Sequence, residues 1–264
     1  MLLASAKKLG KILLSGGCRR GLKVGVGASV EHKKLLQLLN SLHCRTVVDI
    51  GANRGQFALA VQSFIPDANV FSFEPLEAPA QRFRKLFAGV ANIRLQQIAI
   101  GPARGEGEIH VSARDDSSSL LPISEIQENV FPGTGEIRIE KIRVERLSDV
   151  LSAADIVDPA LLKLDVQGYE IEALKGCLDL LPCFRYASVE ASFVEFYEGQ
   201  ALADEIIAFL REHGFQLAGV HNLCYHKAGV ALQGDFFFAK SGEHFASAVL
   251  SAPSATAGSQ GAVR

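Results

Sequence analysis

Apolar residues along this chain form two alternating patterns, short continuous runs and sets with helical spacing. Continuous runs predict buried strands, and helically spaced sets predict the helices that cover them. The predicted strands are 47–50, 70–74, 93–100, 161–165 and 186–191, with closing runs at 215–220 and 235–239. The predicted helices are 31–42, 57–64, 76–87, 169–177 and 202–213. This alternation predicts an α/β domain whose parallel strands, joined by right-handed crossovers, end at one shared edge, where such sheets bind ligands.

An insertion interrupts the alternation after the third predicted strand. Residues 108–111 and 137–144 have the pattern of two further strands, separated by a polar loop at 112–119 and by Pro122, Pro132 and Gly133. A long insertion at a ligand edge is often functional, and a surface excursion without consequence is the alternative. We therefore predict a β insertion beside the ligand site.

Composition and charge narrow the class of protein. The chain has 264 residues, of which 48% are hydrophobic, which suffices for one large α/β domain. Its formal net charge of -2 gives no electrostatic reason to expect nucleic acid or an anionic membrane as a partner. Five cysteines without a CxxC pair argue against a disulfide framework and a structural zinc site. They favour a reducing compartment, and we predict a cytoplasmic protein.

The two ends of the chain differ from its middle. Near the N-terminus, Lys7, Lys8 and Lys11 interrupt the apolar positions, which argues against a secretory signal and a membrane span. We expect an amphipathic helix docked on the domain, with peripheral attachment to a membrane surface as the alternative. From Ser247 the chain is mostly Ser, Ala and Gly, which is typical of a disordered tail. The predicted organisation is an extension at 1–30, a domain at 31–246 and a tail at 247–264.

The turn after the first strand has the sequence DxGxNxG, formed by Asp49, Gly51, Asn53 and Gly55. Its glycines would let a ligand approach the backbone closely, but the spacing lacks the middle glycine of the GxGxxG dinucleotide fingerprint. Asp49 precedes the turn, where a carboxylate suits a cationic amino-acid group. Glu74 ends the second strand, where it could accept both hydroxyls of a ribose. Together these features predict S-adenosylmethionine, and a tight turn without a ligand is the alternative.

Several further motifs follow in a characteristic order, and the set is VVDIGANRGQF, FEP, IAIG, DDSSSL, LKLDVQGYE and VEASFVEFYEGQ. With these motifs, over about residues 40–240, the chain resembles the FkbM family of S-adenosylmethionine-dependent methyltransferases. The resemblance implies a Rossmann-like class I methyltransferase fold, with helices on both faces of a mostly parallel seven-stranded sheet whose last strand is antiparallel. Family members mostly methylate hydroxyl oxygens, often on sugars or secondary metabolites.

The resemblance also implies roles for individual residues. It places Asp49 and Gly51 at the methionine end of the cofactor, with Asn53 and Phe57 in the adjoining turn. Glu74 and the adjacent Pro75 would lie at the ribose, and Ile98 and Ala99 at the adenine. Ser118 would belong to a polar lid over the cofactor, and Asp165 and Gln167 would face the reacting methyl group. The chain departs from the family pattern at Gln167, where Glu is common, and at Tyr169, where a small residue is common. The wall beside the acceptor therefore differs in charge.

Methyl transfer to an alcohol needs a group that orients the hydroxyl and takes its proton. Asp165 is the leading candidate because it ends the fourth predicted strand at the ligand edge, and capping of the next helix is its alternative role. Glu190 ends the fifth strand, with pairing to an arginine or lysine as the alternative. His221, in a predicted loop, is the third candidate, with a surface or packing role as the alternative.

We predict an O-methyltransferase that acts on a hydroxyl of a sugar, a glycan precursor or a small metabolite. The alternatives are an N-methyltransferase or carboxyl methyltransferase, and a non-catalytic S-adenosylmethionine-binding partner protein. Asp165, Glu190 and Asp235 could converge on a magnesium ion, but their spacing does not demand one, and no metal is predicted. The expected partner is a small or sugar-containing acceptor and not a nucleic acid.

Overall fold

The structure is a computed structural model that describes residues 20–21 and 23–242. The predicted N-terminal amphipathic helix lies almost entirely outside these residues, as does the predicted tail at 247–264. The last part of the predicted extension is described. Val26 is buried in the domain core, and the amide of Ser29 donates to the carbonyl of Gln56. The segment before residue 31 therefore packs on the domain.

Ten strands are present in the described part of the chain, and in chain order they are β1 (Thr46–Ile50), β2 (Asn69–Phe73), β3 (Ile93–Gln96), β4 (Ala99–Ile100), β5 (Gly105–Ser112), β6 (Glu136–Glu145), β7 (Ala160–Leu164), β8 (Tyr186–Ser192), β9 (Phe215–Tyr225) and β10 (Ala231–Lys240). Seven of them form one sheet in the order β3-β2-β1-β7-β8-β10-β9. Its pairings are parallel except at β10, which runs antiparallel to β8 and β9. This topology confirms the predicted class I methyltransferase fold.

The helices from residue 30 to residue 242 are α1 (Lys33–Ser41), which precedes β1, and α2 (Gln56–Phe64), α3 (Glu77–Leu86), α4 (Glu125–Val130), α5 (Leu147–Val150), α6 (Glu170–Cys177) and α7 (Ala203–Glu212), which lie between strands. Short 3-10 turns lie at Val30–His32, Asp115–Ser117, Ala153–Asp155 and Leu181–Cys183. Among the described residues, no helix is both long enough and apolar enough to cross a bilayer.

The two faces of the main sheet carry separate cores, because successive side chains of a strand point to opposite faces. Val47 and Leu161 belong to the core that also contains buried residues of α1 and α2. Val48 and Leu162 belong to the other, which contains buried residues of α6 and α7. Each central strand is therefore apolar on both sides, as its continuous apolar run predicted.

The predicted third strand is in fact two strands in different sheets. Ile93–Gln96 pairs with β2, whereas Ala99–Ile100 pairs with Val144 and Glu145 of β6 in a second sheet of order β4-β6-β5. The chain leaves the main sheet because the inserted strand β6 offers a new partner for its backbone. The predicted β insertion is thus present as part of a separate small sheet.

The predicted last part of the chain also differs from the structure. The run 215–220 continues as β9 to Tyr225, so His221 lies inside a strand and not in a loop. The second half of β9 has no continuous apolar run that would predict a strand, because β9 is an edge strand and many of its side chains are exposed.

Two backbone turns touch at Gly51, immediately after β1. Its φ is +82°, and an added Cβ would lie 1.8 Å from the carbonyl oxygen of Asp165, just after β7. At Gly55, a Cβ would instead meet the rings of Phe83 in α3 and of Phe87 directly after that helix. Both glycines are therefore required by packing within the protein, whereas the sequence suggested close approach of a ligand.

We predict that Gly51→Ala lowers the free energy of unfolding by more than about 3 kcal/mol, because a strained φ is combined with a backbone collision. Gly89→Ala is the matched control. Gly89 has a φ of +78° and an added Cβ there meets nothing within 4 Å, so we expect a loss of about 1–2 kcal/mol from the φ alone. Urea unfolding of both variants measures the difference. Equal stabilities would show that the two turns separate without cost.

Candidate active site

The carboxyl ends of β1, β2 and β7 open onto one cavity, at the edge that the strand order predicted. Ten of the predicted site residues line it, namely Gly51, Asn53, Phe57, Glu74, Pro75, Ile98, Ala99, Ser118, Asp165 and Gln167. Three others do not, namely Asp49, Glu190 and His221.

The cavity has a polar end and an apolar end, because its lining comes from strands at different places in the sheet. Lys163 lies in β7 and Asp165 directly follows that strand, whereas Ile98 and Ala99 come after β3 in the chain. In the sheet, β3 lies three strands away from β7. Three strand spacings correspond to about 15 Å. The cavity therefore suits an elongated ligand that is charged at one end and apolar at the other.

Glu74 is placed between these ends by two backbone hydrogen bonds. Its Oε2 accepts from the amide of Asn53 at 2.9 Å, and its Oε1 accepts from the amide of Leu76 at 2.8 Å. Each carboxylate oxygen has a second lone pair, which remains for a ligand hydroxyl. Burial is the main reason why the pKa of Glu74 is raised to about 7.

Asp49 lies beneath the cavity, and Lys163 separates it from the site. Lys163 Nζ is 3.3 Å from Asp49 Oδ1 and 3.4 Å from Asp165 Oδ2, and it lies 5.3 Å from the ring centroid of Phe57. Burial opposes the charge of Lys163, but the neighbouring carboxylates raise its pKa. The direct cofactor contact predicted for Asp49 is therefore wrong: the side chain is fully buried, and Lys163 is the group that reaches the cavity.

Asp165 is held as a carboxylate by its neighbours. Burial acts to raise its pKa, but Lys163 and a 2.8 Å hydrogen bond from Gln167 Nε2 together lower it. A carboxylate with a lowered pKa is a weak base. The alternative role as a helix cap is wrong, because the N-cap residue of α6 is Tyr169 and no side-chain hydrogen bond caps that helix.

Gln167 joins Asp165 to Glu190 behind the cavity wall. Its Nε2 donates to Asp165 Oδ1 and Glu190 Oε2, each at 2.8 Å, and its Oε1 lies 2.7 Å from the hydroxyl of Tyr197. Glu190 also accepts from Gln233. The predicted alternative for Glu190, pairing with an arginine or lysine, is replaced by hydrogen bonds from two amides. A glutamate at position 167 could donate none of these bonds in its ionised form, so the departure from the family pattern is matched to the neighbouring acids.

His221 is half-buried in β9 opposite Asp235 of β10. Burial lowers the pKa of His221. Its predicted place in a loop beside the site is wrong, because the strand continues through it. A histidine that the sequence did not single out, His32 of the first 3-10 turn, lines the cavity instead.

A polar segment of the insertion lines part of the cavity through Asp115, Asp116 and Ser118, and its role as a lid over the cofactor remains a prediction. Arg54 forms a two-pronged ion pair with Asp115, with distances of 2.9 Å from Nε and 2.5 Å from Nη2. The hydroxyl of Tyr197 lies 3.1 Å from the carbonyl oxygen of Ser117. These contacts hold Ser118 against the cavity. Arg54 is part of VVDIGANRGQF, but nothing in that motif identified its partner.

The described residues contain no group of three or more histidine, cysteine, aspartate or glutamate side chains placed to hold a metal ion. The absence of a metal from the predicted site remains a prediction.

The fold and this edge define an S-adenosylmethionine-dependent methyltransferase of class I. The sequence model of the Methyltransferase FkbM domain matches residues 49–217, which is more than half of the chain. The chain therefore belongs to the FkbM methyltransferase family, as the motifs indicated.

The proteins that are similar to the chain include two relatives and one solved structure. The 2-O-methyltransferase NoeI of Sinorhizobium fredii (strain NBRC 101917 / NGR234) is 27% identical over 186 residues, which cover 68% of this chain and 76% of NoeI. The 31-O-demethyl-FK506 methyltransferase FkbM of Streptomyces tacrolimicus is 28% identical over 196 residues, 64% of this chain and 72% of that protein. The magnesium protoporphyrin IX methyltransferase (ChlM) of Synechocystis PCC 6803, solved with bound SAM, has a TM-score of 0.44 and 13% identity, covering 86% of this chain and 92% of that one.

The cavity fits S-adenosylmethionine, which supplies a methyl group on a cationic sulfur when bound. The free lone pairs of Glu74 suit the ribose hydroxyls, and the apolar end suits the adenine. Lys163 and Asp165 at the other end suit the carboxylate and ammonium of the methionine moiety. These individual contacts remain predictions.

We predict that affinity for S-adenosylhomocysteine rises about tenfold between pH 6 and pH 8, because ribose hydroxyls donate best to ionised Glu74, whose pKa is about 7. Glu74→Gln should weaken binding at pH 8 by about ten-fold to a hundred-fold and remove the rise. Calorimetric titration of both proteins at three pH values measures this. A rise retained in Glu74→Gln would assign it to another group, such as Glu170, whose pKa is also raised to about 7 by burial.

Proposed function

We propose that this methyltransferase transfers the methyl group to a neutral hydroxyl oxygen of a sugar-containing or other small polyhydroxylated molecule. The observation that carries the proposal is the excess of carboxyl groups at the polar end of the cavity. Asp165 lines this end, and Asp49, Glu190 and Asp235 lie behind it, all four close to one lysine, Lys163.

The excess of acid makes an anionic acceptor unfavourable. Burial, followed by the charges of Asp165 and Asp235, raises the pKa of Glu190 well above its ordinary value. A further anion at the acceptor position would meet both causes, because it would lose solvation and would lie close to the charged Asp165. Two like charges about 6 Å apart repel by roughly 3 kcal/mol at an effective dielectric constant of about 20. A carboxylate or phosphate at the acceptor position is therefore disfavoured, which argues against a carboxyl methyltransferase.

An amine acceptor is the remaining alternative. The acidic wall would attract an ammonium group, but in that form the nitrogen has no lone pair for attack on the methyl. A hydroxyl needs no such deprotonation before it binds, and the carboxylate of Asp165 and the amide oxygen of Gln167, which both line the cavity, can accept its hydrogen bond. The name of NoeI describes methyl transfer to oxygen, and the name of the Streptomyces tacrolimicus relative describes an O-demethyl substrate. These points favour oxygen over nitrogen.

The partner and the cellular location that we propose are those expected from the sequence. We propose a small-molecule partner and no nucleic acid, and a cytoplasmic location consistent with the cysteine pattern.

The acceptor class can be tested with matched compounds that share one carbon skeleton. Methyl glucoside, its 6-carboxylate and its 6-amino analogue form one such set, and neutral, acidic and amino forms of a polyketide alcohol form another. We expect label from S-adenosylmethionine to appear as an ether on the neutral member and to be at least about tenfold lower on the acid, because of the repulsion above. Mass spectrometry locates the added methyl group. Transfer confined to the amino member, or to the carboxylate as an ester, would contradict the proposal.

A further inference from the structure

His32 reaches the cavity from outside the motifs of the family. It ends the 3-10 turn Val30–His32, which lies before the matched residues 49–217. Its ring lies edge-on to Phe57, with centroids 5.0 Å apart, and only 9% of the residue is exposed. A buried histidine that lines a catalytic cavity has a restricted orientation and few competing partners.

A carboxylate and an amide hold one side of the His32 ring. Nδ1 is 3.4 Å from Asp235 Oδ2, an ion-pair distance, and also 3.4 Å from Asn222 Nδ2. Asn222 Nδ2 donates a much shorter hydrogen bond of 2.6 Å to Asp235 Oδ2, so its hydrogen is directed at the carboxylate and not at the ring. Among the described residues, no hydrogen bond involves the other ring nitrogen, Nε2. A proton on Nδ1, directed at Asp235, leaves the Nε2 lone pair as an acceptor in a ring that lines the cavity.

The other candidate bases are less suited to take a proton. Asp165 is kept ionised at a lowered pKa by Lys163 and Gln167. Glu190 lies behind Gln167, and both its oxygens accept from amides. His221 lies in β9 and does not line the cavity.

We propose that His32 is the general base for methyl transfer, and that Asp235 is a positioning residue that orients the His32 ring. The inference rests on the proposed hydroxyl acceptor. The acceptor oxygen forms a bond to the methyl carbon while the carbon–sulfur bond breaks and its electron pair passes to sulfur. The hydroxyl proton passes to Nε2 of His32, and Asp235 stabilises the imidazolium that results.

The charged groups around His32 come from several elements. The acids are Asp49 of β1, Asp165 after β7 and Asp235 of β10, the lysine is Lys163 of β7, and the neighbouring titratable groups are His221 of β9 and Glu31 of the same turn. All of them are unchanged when one bound cofactor form replaces another. If the titration midpoint of His32 differs between the complexes with two such cofactor forms, the difference therefore reports the charge on the ligand.

The first test needs no acceptor. In the full chain labelled with 15N-histidine, the titration midpoint of His32 is measured by NMR with S-adenosylmethionine bound and then with S-adenosylhomocysteine bound. If His32 faces the reacting methyl, the cationic sulfur should move its midpoint to lower pH by about one unit, since the second ligand lacks that charge. His213, at the C-terminal end of α7 and exposed, should not move. Equal His32 midpoints in the two complexes would overturn the proposal.

The second test uses variants and an acceptor found with the matched compounds. We expect His32→Gln to reduce kcat by about a hundred-fold to ten-thousand-fold while the affinity for S-adenosylhomocysteine changes little. Asp235→Asn should also lower kcat, but it should add little to the loss in a protein that already carries His32→Gln, because Asp235 acts through His32. A separate structural role of Asp235 would give additive losses. His213→Gln is the matched control. Normal kcat in a folded His32→Gln protein would refute the general base.

The two tests separate the possible failures. If the amino compound proves to be the acceptor, the proposed hydroxyl chemistry fails, but the NMR comparison still decides whether His32 faces the methyl. If His32→Gln does not fold, the wild-type titrations still decide the proposal.

Discussion

The buried ion cluster around Lys163 is the interaction on which this end of the protein depends. The ammonium lies between Asp49 of the first strand and Asp165, which follows the neighbouring parallel strand. Loss of one partner from a buried pair typically costs about 3–5 kcal/mol, because it leaves a charge without compensation. The cluster fixes β1 against β7 at the point where both open onto the cavity. The same ammonium keeps Asp165 ionised, so the stability of the edge and the charge of the site have one origin.

Backbone strain is concentrated at the same edge. Gly51, Asn53 and Gln167 all have positive φ values, and they lie in the two turns that border the cavity. Such conformations persist where the surrounding structure fixes them. Here the contact of Gly51 with Asp165, the hydrogen bond of Asn53 to Glu74 and the network of Gln167 provide that support. The side chains that surround the cofactor pocket are thus held in place before any ligand binds.

The charge of the acceptor wall follows from the balance between these groups. Gln167, where the resemblance led us to expect a glutamate, links two acids that would otherwise repel each other. An additional carboxylate at that position would add a fifth acid to those around Lys163. With glutamine at this position, Asp165 and Glu190 each accept a hydrogen bond from an amide, and the wall remains acidic, which suits a neutral acceptor.

The sequence by itself determined the elements whose signals are local. Continuous apolar runs marked β1, β2, β7 and β8, and a glycine in the DxGxNxG turn marked a position where no Cβ fits. Because parallel strands end at one edge, the sequence also placed Glu74 and Asp165 beside the same cavity. These inferences needed the strand period and the rule of parallel crossovers, and no knowledge of distant partners.

Tertiary structure alone decided which distant groups meet. His32 and Asn222 are 190 positions apart, and Arg54 and Asp115 are 61 apart, so nothing in either local pattern connects them. The split of the third strand and the continuation of β9 through His221 likewise depend on which neighbour satisfies the backbone hydrogen bonds. A lysine within the apolar run LLKLD gave a usable signal, because a buried lysine requires acidic partners. That signal reveals the need for a partner but not its identity, since pairing across a sheet is set by the folded chain.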